Sequence, residues 1–430
     1  MISYRTWLIL PLAAVAALLL ASCRANIPGS PGGSSEAASG QAARFVDIAA
    51  RSGITYRWQL PEKRPLNILQ TIGNGCAFLD YNNDGNLDIL FVGGKLALYQ
   101  GDGHGHFTDV THQTGLDKLH GDFRGCAVGD YDNDGYDDIY VTAYRGGALL
   151  HNERGVSFKD VTKAAGIAPQ PWGSSASFAD VDGDGKLDLY IGDYVQFGPG
   201  QGPELCLAPG NHRSVCHPYY YKPLKGVLYH NLGSGKFQDV TEAWGAQAVH
   251  GNTLAVAFAD YLGKGHPALA LANDELPGDL LQYQNGKMSN IAAAAGVAYN
   301  RDGSTHAGMG VDWGDYNNDG KLDLVVTTFE VETKPIYRQE AAGLFNDQAT
   351  ALGFGEATLP YLSFGVKWLD YDNDGWLDLI VASGHVADNV ADYMPDHSFL
   401  QPTLLFHNDH AQHFTDVSHA AGPDLSRPIL

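Results

Sequence analysis

The sequence predicts an all-β protein, a seven-bladed β-propeller of four-stranded blades, with six blades as the alternative count. The first observation is self-similarity with a period of about 50 residues along the 430-residue chain. The second is that each period holds four short apolar runs separated by turn residues, which is the content of one propeller blade. The third is that no stretch of ten or more residues shows the apolar periodicity of a helical array.

The first repeated motif is an Asp-rich loop after the first apolar run of each period. Its first copy reads DYNNDGNLD, and a decayed copy, DYLGKGHPA, starts at Asp260. A large apolar residue such as Phe78 or Trp368 stands two positions before the loop, and we expect it to be wedged between blades. Six periods carry this loop, and residues 44–75 are expected to provide most of a seventh blade. The intact copies start at Asp80, Asp130, Asp180, Asp315 and Asp370.

The second repeated motif reads Phe-x-Asp-Val-Thr, or a close variant, and is followed by a Gly about four residues later. A weaker copy begins at Met288. Because the apolar runs and turns alternate with these two motifs, each period reads as strand, Asp loop, strand, turn, strand, turn and strand. The clear copies begin at Phe45, Phe107, Phe158, Phe237, Phe345 and Phe414.

The five intact Asp loops have the pattern of calcium sites. Positions 1, 3 and 5 carry Asp or Asn, position 6 is Gly and position 9 is Asp, and calcium takes six to eight oxygen ligands in a sharply turning loop. Position 7 varies, as expected of a residue that offers its backbone carbonyl. The alternative is a set of solvated turns without metal, since turns also favour Asp, Asn and Gly. The predicted ligands of up to five Ca²⁺ are Asp80, Asn82, Asp84, Asn86, Asp88, Asp130, Asp132, Asp134, Tyr136, Asp138, Asp180, Asp182, Asp184, Lys186, Asp188, Asp315, Asn317, Asp319, Lys321, Asp323, Asp370, Asp372, Asp374, Trp376 and Asp378.

The decayed loop at Asp260 keeps only its first Asp, so we expect no metal there. An EF-hand fits the intact loops poorly, because they have no Glu at position 12 and a strand-like run follows them.

Together these motifs resemble the FG-GAP/VCBS repeat of integrin α-subunit-type propellers. The arrangement over residues 44–422 is similar to bacterial relatives of cartilage acidic protein, the ASPIC/UnbV group. The C-terminal ASPIC/UnbV module of that group has no counterpart in the sequence, so no role of that module is expected. The resemblance implies a calcium-stabilised propeller used for extracellular binding or adhesion.

The N-terminus reads as a lipoprotein signal peptide, residues 1–22, followed by a flexible tether, residues 23–43, and by the propeller, residues 44–430. Arg5 precedes an apolar run, and Leu20-Ala-Ser-Cys23 matches the bacterial lipobox with Cys23 as the lipidated residue. The alternative is an uncleaved membrane anchor, although the run is short for a full span. Arg24 after the Cys is typical of an outer-membrane lipoprotein, and whether it faces the periplasm or the surface stays open.

Four cysteines follow the predicted signal peptide. Cys206 and Cys216 lie in an insertion at about 196–224 that is rich in Pro and Gly, and we expect a disulfide between them in an oxidising compartment. Cys76 and Cys126 occupy equivalent places in two repeats. For these two we favour small buried hydrophobes over a disulfide between repeats.

A binding or adhesion module, or an envelope-assembly protein, is the function that the sequence favours. The net charge of −22 makes nucleic acid and anionic lipid poor partners, so an extracellular or envelope protein or glycan is expected, with membrane contact through the lipid alone. The sequence has no recognisable catalytic motif. The alternative is a polysaccharide-processing enzyme, a lyase or glycosidase, that uses a rim of His and acidic residues. Candidate rim residues stand about ten positions before the Asp loops, where they could equally be ordinary polar loop tips. These rim residues are Gln70, His120, Gln170, His250 and His306.

Overall fold

Small antiparallel sheets in a propeller-like arrangement make up the protein, whose computed structural model describes residues 44–341 and 343–429. The predicted signal peptide, the tether and Cys23 lie outside the described residues. The first sheet holds four strands in chain order, each paired with the next. They are β1 (Gly75–Leu79), β2 (Asp88–Val92), β3 (Ala97–Gly101) and β4 (Phe107–Asp109).

An eight-stranded sheet follows, and it consists of two successive four-strand runs. Strand pairs Tyr144–Trp172 and Gly146–Gln170 join the two runs. An insertion interrupts the second run; it holds one short hairpin, β12–β13, inside a two-stranded pair of β11 with β14. In chain order the strands are β5 (Asp122–Gly129), β6 (Asp138–Gly146), β7 (Ala148–Asn152), β8 (Phe158–Asp160), β9 (Gln170–Ala179), β10 (Asp188–Asp193), then β11 (Val195–Gln196), β12 (Cys206–Ala208), β13 (His212–Ser214) and β14 (Lys222–Pro223) of the insertion, and β15 (Val227–Gly233) and β16 (Lys236–Asp239).

Three more four-stranded sheets complete the strands of the described chain. Each has the same order of neighbours as the first sheet. They are β17 (Thr253–Ala259), β18 (Ala268–Asn273), β19 (Asp279–Gln284) and β20 (Lys287–Asn290); β21 (Gly310–Gly314), β22 (Asp323–Thr327), β23 (Ile336–Ala341) and β24 (Leu344–Asp347); and β25 (Ser363–Leu369), β26 (Asp378–Ser383), β27 (Leu404–Asn408) and β28 (Phe414–Asp416).

The structure corrects the predicted blade count, because it contains four separate four-stranded sheets rather than seven or six, with the other blade-type strands joined in one sheet of eight. Residues 44–74, expected to give most of a further blade, form no strand. Pro61 and Pro65 interrupt this segment and cannot donate to a ladder. The segment contacts the first sheet without a ladder: Tyr56 stacks on Phe91 with ring centroids 4.8 Å apart, and the carbonyl of Ser52 accepts the N–H of Phe107 at 2.7 Å.

Short helices occupy the turns between the sheets. A glycine in the left-handed conformation ends three of them, at Gly166, Gly245 and Gly296, with φ of 86°, 85° and 85°. No helix in the described part of the chain is long and apolar enough to cross a membrane. The α-helices are α1 (Ile68–Thr71), α2 (Thr162–Ala165), α3 (Thr241–Trp244), α4 (Ala292–Ala295) and α5 (Phe354–Thr358); the 3-10 helices are Leu116–Lys118, Pro209–Asn211, Pro218–Tyr220, Ala246–Ala248 and Val390–Asp392.

The seven copies of the Phe motif form a closed series of contacts, each reaching the next along the chain. A Cβ at Gly166 would lie 3.0 Å from the carbonyl oxygen of Phe237, and one at Gly245 would lie 2.9 Å from that of Met288. The last copy returns to the first, because the backbone N–H of Phe45 donates to the carbonyl of Ala421 at 2.7 Å. Glycine is required at these positions by its positive φ and by the close approach of the next strand.

Large side chains before the Asp loops pack between neighbouring sheets, as predicted, except in the first sheet. Trp368 stacks on Tyr316 of the preceding sheet at 5.9 Å, and Trp313 stacks on Tyr261 at 5.4 Å. Phe78, by contrast, is 65% exposed. The segment before its sheet, residues 44–74, has no strand to cover it.

The disulfide between Cys206 and Cys216 is present, as predicted, and closes the β12–β13 hairpin. The expectation for the other pair is partly wrong. Both Cys76 and Cys126 are free, but Cys76 is exposed rather than buried because it lies in the same uncovered strand, β1, as Phe78.

Candidate functional site

Each Asp loop connects the first two strands of its four-strand run, and its first Asp shapes the turn. In the loop at Asp80, the two carboxylate oxygens accept the backbone N–H groups of Asp84 at 3.1 Å and Gly85 at 2.9 Å. The same two bonds recur in the other four intact loops. They also occur in the decayed loop, where Asp260 accepts from Lys264 and Gly265. The first Asp therefore has a role in the turn that requires no other acidic residue.

The Asp at position 9 has a role that sequence reasoning did not assign. All five are fully buried and tie the loop to the third strand. Asp138, for example, accepts the N–H of Asn152 at 2.7 Å and that of Tyr131 at 3.3 Å. Burial raises the pKa of Asp138 and of Asp323 to about 7. It is the largest cause, because desolvation disfavours the charged carboxylate.

Oxygen atoms of the predicted ligands converge within single loops. One carboxylate oxygen from each of Asp130, Asp132 and Asp134 lies within 4.8 Å of the other two, and Asp180, Asp182 and Asp184 form an equivalent group. In the loop at Asp130, Oδ1 of Asp132 is buried without a hydrogen-bond partner, and Oδ2 of Asp323 is in the same state in the loop at Asp315. The three converging oxygens of positions 1, 3 and 5, with buried carboxylate oxygens that have no partner, fit a hard cation such as Ca²⁺.

Three histidines adjoin these loops that the sequence analysis did not select. Nδ1 of His151 lies 3.3 Å from Asp132 and 3.2 Å from Asp138, and His230 and His407 occupy the equivalent place in two other loops. Each comes from the third strand of its run, directly before a buried Asn. The sequence could have identified these histidines, because each stands in a repeated Leu-x-His-Asn segment.

Residues at position 7 donate their backbone N–H to the position-5 carboxylate in all five loops, namely Asn86, Tyr136, Lys186, Lys321 and Trp376. Two of them also place a cation there. Lys186 pairs with Asp184, and Nζ of Lys321 lies 2.8 Å from Asp319. In these two loops a lysine competes with any bound metal for the position-5 oxygen. At position 3, Asn82 and Asn317 accept the backbone N–H of the position-5 Asp in their loops. In the last loop, Asp370 accepts the N–H of Asp374, Asp374 accepts that of Trp376, and Asp372 lies 3.5 Å from His407.

The predicted rim residues have separate surroundings. Gln70 caps its own helix α1, His120 is exposed, and Gln170 is buried and donates to the carbonyl of Ala168. His250 lies 2.5 Å from Asp279, and His306 is only 2% exposed. Burial lowers the pKa of His306 to about 4, so it is neutral at pH 7. No hydrogen bond in the described structure joins any two of the five residues.

A cavity of about 460 Å³, here called the central pocket, lies at the end of the first strands opposite to the Asp loops. Its walls come from α1, from the insertion after β13, and from the segments after β18, β22 and β26. His385 lines it and is only 7% exposed. Its ring packs edge-on against Phe329, which buries it.

A family model for the FG-GAP-like repeat matches the chain twice, at residues 80–141 and 130–191. The chain carries FG-GAP-like repeats. The matched repeats contain the first three Asp loops, and with the propeller-like arrangement of sheets they support an FG-GAP β-propeller.

No curated protein matches the chain. Among solved structures, it is similar to one titled as the structural basis of specific recognition of non-reducing terminal N-acetylglucosamine by an Agrocybe aegerita lectin. That similarity has 15% identity and a TM-score of 0.46, and covers 80% of this chain and 79% of the lectin chain. A similarity this low gives no information about the ligand of this protein.

Proposed function

We propose that the protein is a calcium-stabilised FG-GAP propeller that acts as a binding module. The observation that carries the proposal is the convergence of carboxylate oxygens at positions 1, 3 and 5 with buried, unpartnered oxygens of Asp132 and Asp323. Bound Ca²⁺ would supply positive charge and oxygen coordination there, and would be held by the loop residues named above. The pKa values of Asp138 and Asp323, raised by burial to about 7, are consistent with carboxylates whose charged form a bound cation would stabilise.

Export on a lipid anchor is part of the same proposal. Its support is the lipobox ending at Cys23 and the Cys206–Cys216 disulfide, which suits an oxidising compartment. The outer membrane stands on Arg24 after the lipobox Cys. Membership of the ASPIC/UnbV group and an adhesion role with a protein or glycan partner stand on the sequence resemblance. Replacement of Cys23 by Ser and metabolic labelling with a fatty acid would test the anchor, and labelling that persists in the variant would contradict it.

The calcium proposal is best tested with a matched pair of loop variants. Asp130→Asn and Asp260→Asn each replace the first Asp of a loop. Both Asp residues accept backbone N–H groups from the residues four and five positions later. Only the loop at Asp130 has the further acidic ligands. We expect calcium to raise the melting temperature of the parent by several degrees, since a ligand that binds only the folded state stabilises it.

Isothermal titration should show fewer calcium sites in Asp130→Asn and an unchanged number in Asp260→Asn. The loop assignment would be overturned by a parent protein that melts alike in calcium and in chelator, or by equal site numbers in the two variants.

A further inference from the structure

The five intact Asp loops fall into two classes that differ at position 3. All five carry Asp at positions 1, 5 and 9, so an Asp at position 3 adds a fourth carboxylate to the same loop. A like charge so close to the others is unfavourable unless a positive charge compensates it. The class with Asp comprises Asp132, Asp182 and Asp372, and the class with Asn comprises Asn82 and Asn317.

The third strand of each four-strand run shows the same division. Position 10 of each loop pairs with a residue of that strand, and the residue after this partner lies beside the position-9 Asp. The place is taken by His151, His230 and His407 in the Asp class, and by Gln100 and Arg338 in the Asn class. An Asp at position 3 and a His on the third strand therefore occur together, in the same three loops.

In the loop at Asp130, the histidine nitrogen faces two carboxylates without a hydrogen bond to either. Nδ1 of His151 lies 3.3 Å from Oδ2 of Asp132 and 3.2 Å from Oδ1 of Asp138. That nitrogen is buried and has no hydrogen-bond partner, and the same is true of Oδ1 of Asp132. Two ligand atoms that are each about 2.0–2.2 Å from one tetrahedral metal are about 3.3–3.6 Å apart, close to the separations seen here.

The other two loops of this class repeat the arrangement. Nδ1 of His407 lies 3.5 Å from the position-3 Asp and 3.3 Å from the position-9 Asp, and it too is buried without a hydrogen-bond partner. Nδ1 of His230 lies 3.9 Å and 2.9 Å from the same two positions of its loop, and it is hydrogen-bonded to the position-9 Asp. Each group thus brings one imidazole nitrogen and two carboxylate oxygens within 4.8 Å of one another.

Neighbouring aromatic rings contact the histidines and hold their orientation. Tyr131 lies edge-on to His151 with ring centroids 6.2 Å apart, and Tyr371 lies edge-on to His407 at 6.0 Å. The histidine and position-3 Asp side chains are 18–27% exposed, whereas the position-9 Asp side chains are fully buried. A cation held between these three groups would therefore have solvent on one side.

An imidazole nitrogen is a poor ligand for calcium and a good one for transition metals. Calcium takes oxygen ligands, whereas zinc is commonly bound by His together with Asp or Glu. Two carboxylates and one neutral imidazole carry a charge of −2, which a divalent cation balances. The Asn class lacks the nitrogen ligand, because Gln100 donates its amide to Asp84 at 3.1 Å and Arg338 is a cation paired with Glu340.

We infer that the loops at Asp130, Asp180 and Asp370, here called the histidine loops, bind a transition-metal dication in preference to Ca²⁺. Its ligands are Nδ1 of the third-strand His and the carboxylates at positions 3 and 9. The loops at Asp80 and Asp315 keep the all-oxygen donor set that calcium prefers. The inference rests on the proposed function, because it takes the loops to be cation sites, and it divides them between two kinds of cation.

Zn²⁺ is the probe for the first experiment, on the full chain without a polyhistidine tag. The protein is equilibrated with millimolar calcium and micromolar zinc, separated from unbound metal by gel filtration, and its metals are counted by inductively coupled plasma mass spectrometry. We expect three zinc ions per molecule and a lower calcium content than in a sample without zinc. Zinc that is not retained, or an unchanged calcium content, would overturn the inference. This measurement uses the unaltered protein and so does not depend on the folding of a variant.

A triple variant of the histidine loops provides the second arm, because glutamine stands naturally at the same place in the first sheet, as Gln100. We expect it to lose the three zinc ions and to keep its calcium. The control replaces three exposed histidines and should bind zinc like the parent. The variant carries His151→Gln, His230→Gln and His407→Gln, and the control carries His104→Gln, His106→Gln and His112→Gln.

The outcomes separate the histidine role from the calcium proposal. If the histidines are only ion-pair partners of the additional Asp, the triple variant will retain as much zinc as the parent, and the inference fails. Calcium at all five loops in the presence of zinc would overturn the inference and leave the calcium proposal intact. A parent chain that binds neither metal would instead overturn the assignment of the loops as cation sites.

Discussion

The side-chain amide of Asn152 donates a 2.8 Å hydrogen bond to the backbone carbonyl of Tyr81, which lies in the Asp loop of the preceding sheet. Asn231 makes the same bond to Tyr131, and Asn408 to Tyr316. All three asparagines are fully buried. The Asn of the repeated Leu-x-x-Asn segment is therefore a link between neighbouring four-strand runs, and a backbone carbonyl of the Asp loop is its acceptor.

Removal of this link should be costly. Asn152→Ala would leave the carbonyls of Tyr81 and Asp137 without their donor, and buried carbonyls without partners cost about 1–3 kcal/mol each. We expect the midpoint of thermal unfolding to fall by several degrees, measured by circular dichroism. Gln113→Ala, at an exposed position, is the control and should change it little. Equal midpoints for the two variants would contradict the assigned role.

Two glycine variants can separate the stability cost of losing a contact between successive Phe motifs from the cost of a left-handed backbone conformation. Gly245 and Gly303 have φ of 85° and 82°, but only a Cβ at Gly245 would meet another atom, the carbonyl oxygen of Met288 at 2.9 Å. Both Ala variants incur the cost of a left-handed residue, about 1 kcal/mol. We expect Gly245→Ala to lose at least about 1 kcal/mol more, because the end of α3 and strand β20 must move apart. Chemical denaturation of both variants provides the measurement, and equal losses would refute the contact.

Because β1 of the first sheet is uncovered, equivalent positions in different sheets should contribute unequally to the free energy of unfolding. Trp368→Ala removes a ring that stacks between two sheets and should cost about 2–4 kcal/mol. Phe78→Ala removes a side chain that is 65% exposed and should cost less than about 0.5 kcal/mol. Denaturant unfolding compares the two. A large loss on Phe78→Ala would mean that a further part of the protein covers this strand.

Stability should depend on pH through Asp193, which lies outside the Asp loops. Burial raises its pKa from 3.8 to about 7 in the folded state. Its contribution is complete below pH 3.8 and is lost as the pH rises towards 7, since the folded state retains the proton that the unfolded state releases. Asp193→Asn resembles the protonated acid and should melt increasingly above the parent between pH 4 and pH 8.

The readout for Asp193 is the difference in melting temperature between variant and parent across that range. The exposed Asp396→Asn serves as the control and should show a flat difference. A difference for Asp193→Asn that is flat as well would remove Asp193 as the source of the dependence.

The repeat pattern predicted the strands well because alternating apolar runs and fixed Asp loops recur with one register. The disulfide followed from composition and spacing in the insertion. The prediction of a further blade in residues 44–75 was wrong, because each apolar run there, taken alone, resembles a strand. Strand formation there depends on neighbours along the whole edge, and Pro61 and Pro65 prevent a continuous ladder.

The central pocket could not be predicted from the repeats, because its residues come from outside the two motifs. Glu330 follows β22, His385 follows β26 and His217 belongs to the insertion, so the three are brought together only by the arrangement of separate sheets. The rim prediction named five other residues, none of which lines the pocket. It used equal spacing from the loops, whereas the pocket uses residues from segments of unequal length.

The bond from Phe45 to Ala421 has a consequence for how the chain could be rearranged. Phe45 and Gly422 are in contact, and Asp47 meets Arg427 at 3.3 Å and Asp424 at 3.0 Å, so the first and last Phe motifs are spatial neighbours like any other pair. A circular permutant that connects these two regions by a short linker and opens instead at the Asn285–Gly286 hairpin would preserve every link in the series. A permutant that folds would show that the closed series of Phe-motif contacts, rather than the position of the chain ends, determines the fold.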